Sequence, residues 1–257
     1  NIVKKKGGLF MISSDFRTEA RRILAGKWSK AVCIVLVYLL LFFVLGFIQG
    51  SFEEGSAIYT LIRLAIYIIE VPLALGMVIS FVKLYNGEEV SAFDFFKLGF
   101  NNFSKAWGIA FQTLLKMALP VFLIIVFMII LVIGTSGSVF SAAALASNST
   151  TSTFSALALI GFIGLIASTI WATTKSYYYQ LTPLIIAENP EMTAKEAVEQ
   201  SANLMNGNRF KLFCLQFSFI GWAILSALTL GIGYLWLTPY TQCSIIAFYK
   251  NLSNKNV

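Results

Sequence analysis

Apolar residues along the chain are gathered into runs at residues 31–49, 58–82, about 112–134, 155–174 or further, 212–230 and 234–249. A helix needs roughly 20 residues to cross the hydrocarbon of a bilayer. The pattern therefore predicts an all-α polytopic membrane bundle of about six transmembrane helices. The last run is short and starts at an interface, with Trp236 as its aromatic anchor. Stretches of mixed polarity precede the first, third and fifth runs. In the last of these Thr193 and Glu196 form a T-x-x-E capping box, and Ala194, Ala197, Val198, Leu204 and Met205 recur at helical spacing. Ser91 and Asp94 stand in the same relation in the middle stretch; the first, Asp15 to Leu24, is more basic and its cap is less clear.

A repeat emerges when Lys30, Lys105 and Lys211 are set in register. ILAGKWSK, LGFNNFSK and LMNGNRFK then align, each at the foot of an outgoing run. The returning runs carry Pro72, Pro183 and Pro239, the last two inside identical Leu-Thr-Pro triplets. A proline within a membrane helix removes one backbone hydrogen bond and bends the helix, leaving a carbonyl open to a neighbour or to water. The expected architecture is three kinked hairpins, each preceded by an interfacial amphipathic helix. Chance likeness among short apolar segments is the rival explanation.

Charge orients this pattern. Of the 19 Lys and Arg, all but Arg63 and Lys116 lie before residue 31, in 83–105, in 175–211 or after residue 249, and the intervening loops 50–57, 135–154 and 231–233 have none. By the positive-inside rule both termini and the amphipathic helices are expected to be cytoplasmic. The loop 135–154, TSGSVFSAAALASNSTTSTF, is small, polar and uncharged, and is expected to be mobile.

Composition agrees. The chain is 58% hydrophobic and 12% charged, against about a quarter charged in soluble domains. The net charge of +7 is spread over the feet of the runs rather than forming one basic patch, so no nucleic-acid partner is expected. The segment NIVKKKGGLF before Met11 contains Lys-Gly-Gly, which a bacterial ribosome-binding site, AAAGGAGG, encodes in frame. Residues 1–10 are accordingly expected to be translated leader, and 11–257 a single integral membrane domain. An intact mass beginning at Asn1 in natively expressed protein would refute that.

Little chemistry is on offer. Cys33, Cys214 and Cys243 stand singly in apolar stretches, and there is no histidine, so neither a metal nor another cofactor is expected. No HExxH, GxxxxGK[ST] or GxSxG pattern occurs. Three charges fall inside apolar runs, where a charge at the bilayer centre costs about 2.5–3.5 kcal/mol on insertion scales. Arg63 is close enough to the outer end to serve as an interface anchor. Glu70 lies about 18 Å from the inner end of its helix and Lys116 about 16 Å along its own, so the two are read as a candidate intramembrane pair, with a proton or ion relay as the alternative. Such a pair predicts that Glu70→Gln or Lys116→Met alone lowers folded yield and that the double change restores part of it. Tyr177, Tyr178 and Tyr179 suit a headgroup-level anchor better than a binding site. The acidic residues Glu188, Glu191, Glu196 and Glu199 suit capping and solvation.

From Leu184 to Leu252 the chain resembles the bacterial family of multi-pass membrane proteins known as domain of unknown function 975. The likeness rests on Glu188-Asn189-Pro190, the Ser201 to Gly207 stretch, Ser218-Phe219-Ile220-Gly221-Trp222, the Thr229 to Gly233 turn, and Pro239-Tyr240 ahead of Phe248-Tyr249. Asp94 to Phe100, DFFKLGF, resembles the family's middle segment, which extends the likeness to everything after Met11. Gln216 stands where the resemblance leads one to expect an acid. The resemblance implies a helical protein of the bacterial plasma membrane and brings no reaction, substrate or cofactor.

The expected function is thus non-enzymatic: a transport component, a lipid-contacting scaffold or an accessory subunit. Its partners would be anionic headgroups at the inner-face Lys30, Lys105 and Lys211, or other membrane proteins. The alternatives are a transporter or channel with a path past Glu70, and a membrane enzyme acting on lipid or peptide.

Overall fold

The structure, a computed structural model, describes residues 12–143 and 148–254. The expected leader lies outside the described residues. The described residues form α-helices joined by short turns, without a strand.

Three short helices are amphipathic: α1 (Ser13–Leu24), α4 (Asp94–Asn101) and α8 (Ala194–Met205). Each opens on an acidic cap. The Thr193 hydroxyl accepts from the Glu196 N–H at 3.3 Å while the Glu196 carboxylate accepts from the Thr193 N–H at 2.9 Å, closing a reciprocal box. Asp94 accepts from the Ser91 N–H at 2.8 Å. The first cap, illegible in sequence, has the same carboxylate half: Asp15 accepts from the Ile12 N–H at 3.1 Å, and isoleucine has no side-chain acceptor to return. The buried faces are Phe16, Ala20 and Leu24 on α1, Phe95 and Gly99 on α4, and Ala197, Val198, Ser201, Leu204 and Met205 on α8.

Between them run the apolar elements α2 (Trp28–Gly50), α3 (Ala57–Asn86), α5 (Phe103–Ala143) and α6 (Asn148–Ser176). Then come α7 (Thr182–Glu188), α9 (Arg209–Phe217), α10 (Ile220–Leu228) and α11 (Tyr234–Ser253). Five segments are long and apolar enough to cross a membrane: α2, α3, most of α5, Thr150–Glu188 and Arg209–Leu228. The sequence pattern also expected α11 to cross. Its Thr238, Thr241, Gln242 and Ser244 lower its hydropathy, and much of its surface is buried against protein.

Three expectations are corrected. Pro72 and Pro239 lie inside helices, but Pro183 starts one: α6 gives way to a single 3-10 turn at Tyr177–Tyr179 and α7 opens with Pro183 in its first turn, where no amide hydrogen is needed. The fifth run is likewise two helices, interrupted at Ser218–Phe219, with the Ser218 hydroxyl turned back onto the Leu215 carbonyl at 2.6 Å. The polar stretch 135–154 is not a loop either, because its described residues extend α5 to Ala143 and begin α6 at Asn148. Alanine and serine on one side of a hairpin tolerate a helix as long as its partner continues.

The chain forms two compact units, one running to Ala110 and resuming at Leu181, the other Phe111–Gln180. In the first, α4 packs along α3, α8 on α7, and the N-terminal α1 on the C-terminal α11. The α3–α4 contact is backbone to backbone. A Cβ at Gly76 would overlap the Phe95 carbonyl, and one at Gly99 would stand 2.5 Å from that of Pro72. Fully buried in this unit are Phe81, Phe95, Ile185, Met205, Phe248 and Tyr249, with Phe16 edge-on to Phe248 at 5.4 Å. Along α3 the change is abrupt: residues before Pro72 are mostly exposed, and those from Pro72 to Leu84 are mostly buried.

The second unit is the hairpin of α5 and α6. Gly134 lies against Ala158, Gly161 against Leu131 and Gly164 against Phe127, each too close for a side chain.

Candidate functional site: the polar layer at the basic end

In the first unit α3, α7 and α11 finish at the same end, which carries most of its basic residues. Helix C-termini leave carbonyls without intrahelical donors and concentrate partial negative charge, so cations belong there. Lys250, near the end of α11, meets the Glu188 carboxylate at the end of α7 at 2.6 Å and the Asn86 amide oxygen at the end of α3 at 2.8 Å. One ammonium thus joins all three helix ends. It also stands 5.5 Å from the centre of the Tyr85 ring. The Tyr249 hydroxyl faces Glu188 and Asn189, and the pair Glu19–Arg22 on α1 flanks Tyr85. Lys83 pairs with Glu88 at 3.6 Å at the rim.

Long basic side chains take up further open carbonyls. Lys27 donates to the Leu84 carbonyl in the last turn of α3 at 3.1 Å. Lys105 donates to the Pro190 carbonyl just beyond α7. Arg17 on α1 reaches the Ser218 carbonyl at the α9–α10 interruption at 3.5 Å. The layer pairs its charges internally, and that is its chemistry: it joins helix ends. Among the described residues no group of three His, Cys, Asp or Glu side chains converges in a way that would hold a metal ion.

The residues singled out in the sequence fall in both units. Arg63 is exposed and bonded to the Tyr67 hydroxyl at 3.2 Å. Glu70 is exposed on α3, two residues before Pro72, and near enough to Tyr38 on α2 to act on its hydroxyl electrostatically. The part of α3 between Glu70 and the helix end, from Pro72 to Leu84, is mostly buried in protein. Lys116 is exposed on α5, in the second unit. Lys30 is exposed at the foot of α2; Lys211 bonds to the Asn208 side chain at 2.9 Å; Lys105 is engaged on Pro190 as described. Tyr177, Tyr178 and Tyr179 form the 3-10 turn. Lys250, Asn86 and Lys27 were overlooked. Their signal is a Lys or Asn at a helix end; the lysines had been read only as topology, and the asparagine carries no charge to notice.

The model of a family described as protein of unknown function (DUF975) matches residues 11–256, nearly the whole chain. The chain belongs to this family. Comparison with curated proteins and with solved structures finds no match. Of the stretches that carried the DUF975 likeness, some sit at turns and interruptions of the first unit, while Asp94 to Phe100 forms most of α4 and Pro239-Tyr240 and Phe248-Tyr249 lie within α11. Glu188-Asn189-Pro190 caps α7, with the Asn189 side chain back on the Ile185 carbonyl at 3.1 Å. Gly207 turns α8 into α9 at a φ of +75°, a conformation that favours glycine. Ser218 to Trp222 is the α9–α10 interruption, with Phe219 edge-on to Tyr240 at 5.1 Å. In this member of DUF975 Glu188-Asn189-Pro190, Gly207 and Ser218-Phe219 are thus places where helices are redirected.

Proposed function

We propose that the protein is a non-enzymatic scaffold or accessory subunit of the bacterial plasma membrane, with six spans in three hairpins and a charged collar facing the cytoplasm. The observation that carries this reading is the placement of α1, α4 and α8. Their apolar faces are occupied by α11, α3 and α7, and their charged faces, with Arg21, Lys97 and Lys195 exposed, point away from the unit. Such a rim attracts anionic headgroups by about 1 kcal/mol per basic residue near the surface. An even number of crossings is supported by the Phe16–Phe248 contact, which brings the first and last helices to the same end; α11 then supplies the sixth. A path past Glu70 draws no support from the exposed position of that residue on α3.

The test is reconstitution in nanodiscs of phosphatidylglycerol or of phosphatidylcholine. Retention of the anionic lipid through delipidation, and a higher melting midpoint in it, is the expected result. Equal behaviour in the two lipids would leave the collar to protein partners and remove headgroup contact from the proposal.

A further inference from the structure

A proline inside a helix has no N–H for the carbonyl four residues before it. For Pro72 that carbonyl belongs to Ile68. In the first unit the indole Nε1–H of Trp107, on α5, donates to the Ile68 oxygen at 3.3 Å. For Pro120 it belongs to Lys116. In the second unit the Lys175 ammonium, on α6, donates to the Lys116 oxygen at 3.2 Å, while lying 5.4 Å from the centre of the Trp171 ring. Both prolines are buried. The donors differ in chemistry, come from different helices and belong to separate units, yet each lands on the oxygen that its proline orphans.

We propose that Trp107 and Lys175 are positioning residues that replace the amide hydrogens missing at Pro72 and Pro120. Each bend is then a two-part device, in which the ring withdraws the helix's own donor and a neighbouring helix supplies another. Where a membrane helix lacks water for the freed oxygen, the partner that oxygen finds decides whether the bend is stable and toward which neighbour it opens. Trp107 ties α3 to the start of α5. In the hairpin, the antiparallel register set by Gly161 against Leu131 and Gly164 against Phe127 puts residue 175 opposite residue 116, so Lys175 locks the same alignment from the other end. The role is legible in the sequence only once the register is known, because nothing local connects residue 107 to 68 or 175 to 116.

The test is a pair of double-mutant cycles read as melting midpoints in detergent. Trp107→Phe is expected to lower the midpoint by about 2–4 °C in the parent and to leave it unmoved in the Pro72→Ala background, where the amide of residue 72 reclaims the Ile68 oxygen. Lys175→Met is expected to behave likewise with and without Pro120→Ala. An equal loss in both backgrounds would overturn the proposal. Should either proline variant fail to fold, the carbonyl ¹³C resonances of Ile68 and Lys116 decide: upfield movement in Trp107→Phe and Lys175→Met, respectively, supports it, and unmoved resonances refute it.

Discussion

Within Phe111–Gln180 every buried residue among those described is small: Pro120, Gly134, Ser141, Gly161, Gly164, Ser168 and Ala172. In the other unit the buried residues include Phe81, Phe95, Phe248 and Tyr249. Two helices alone have no third element to enclose a large side chain, and lipid tails are as apolar as leucine, so nothing drives large residues between them. They gain instead by close backbone approach, which glycine permits. Where α1, α3, α4, α7, α8 and α11 converge, side chains can be surrounded, and dispersion contacts together with polar joints at the helix ends take over. The same composition thus supports two modes of packing, chosen by the number of neighbours.

That contrast can be broken at its strongest point. Phe81→Ala should cost about 3–5 kcal/mol, the range for emptying a packed aromatic site. Phe122→Ala, on an outward face of α5, should change stability by less than about 0.5 kcal/mol. Equal losses in unfolding titrations would mean that the two units are packed alike. The complementary substitution adds volume. Gly161→Ala places a Cβ 2.5 Å from the Leu131 backbone and should cost up to about 3 kcal/mol, whereas Gly46→Ala on α2 meets nothing within 4 Å and should be neutral or slightly stabilising. A hairpin indifferent to both would not be held by backbone approach.

Smaller effects sharpen the account of the polar layer. Glu188→Gln and Lys250→Met should each destabilise by roughly 1–2 kcal/mol, between the values for exposed and fully buried pairs. The double variant should recover part of the loss, because neither partner is then left uncompensated. Additive losses would mean that the two side chains act separately. The least effect belongs to the cap of α8. Thr193 holds the Glu196 carboxyl below the usual carboxylate range through hydrogen bonds to its ionised form. Its contribution is therefore full above the unfolded carboxylate pKa and is lost as pH falls through the lower, folded value. The stability difference between the parent and Glu196→Gln should close as the pH is lowered through that window, and a difference that widens on acidification would reverse the assignment.

Legibility followed the range of the interaction. The α8 box, the Ser91–Asp94 cap and the apolar runs depend on residues a few positions apart, and the sequence displayed them. The interruption at Ser218–Phe219 was hidden because no proline marks it. The helical state of 135–143 was hidden because small polar residues are compatible with helix and loop alike, and the partner helix α6 tips the balance. Lys105 looked like a headgroup contact, since a lysine's charge is visible in sequence while the carbonyl it finds, that of Pro190 far along the chain, is not.

From its amino-acid order alone this protein was bound to be helical and suited to lipid, because periodicity, hydropathy and capping are properties of neighbouring residues. Which helices bend or break, which lysines join helix ends, and where large side chains find enclosure were left to tertiary structure. Those outcomes depend on orphaned carbonyls and empty spaces, and these exist only after distant helices have come together.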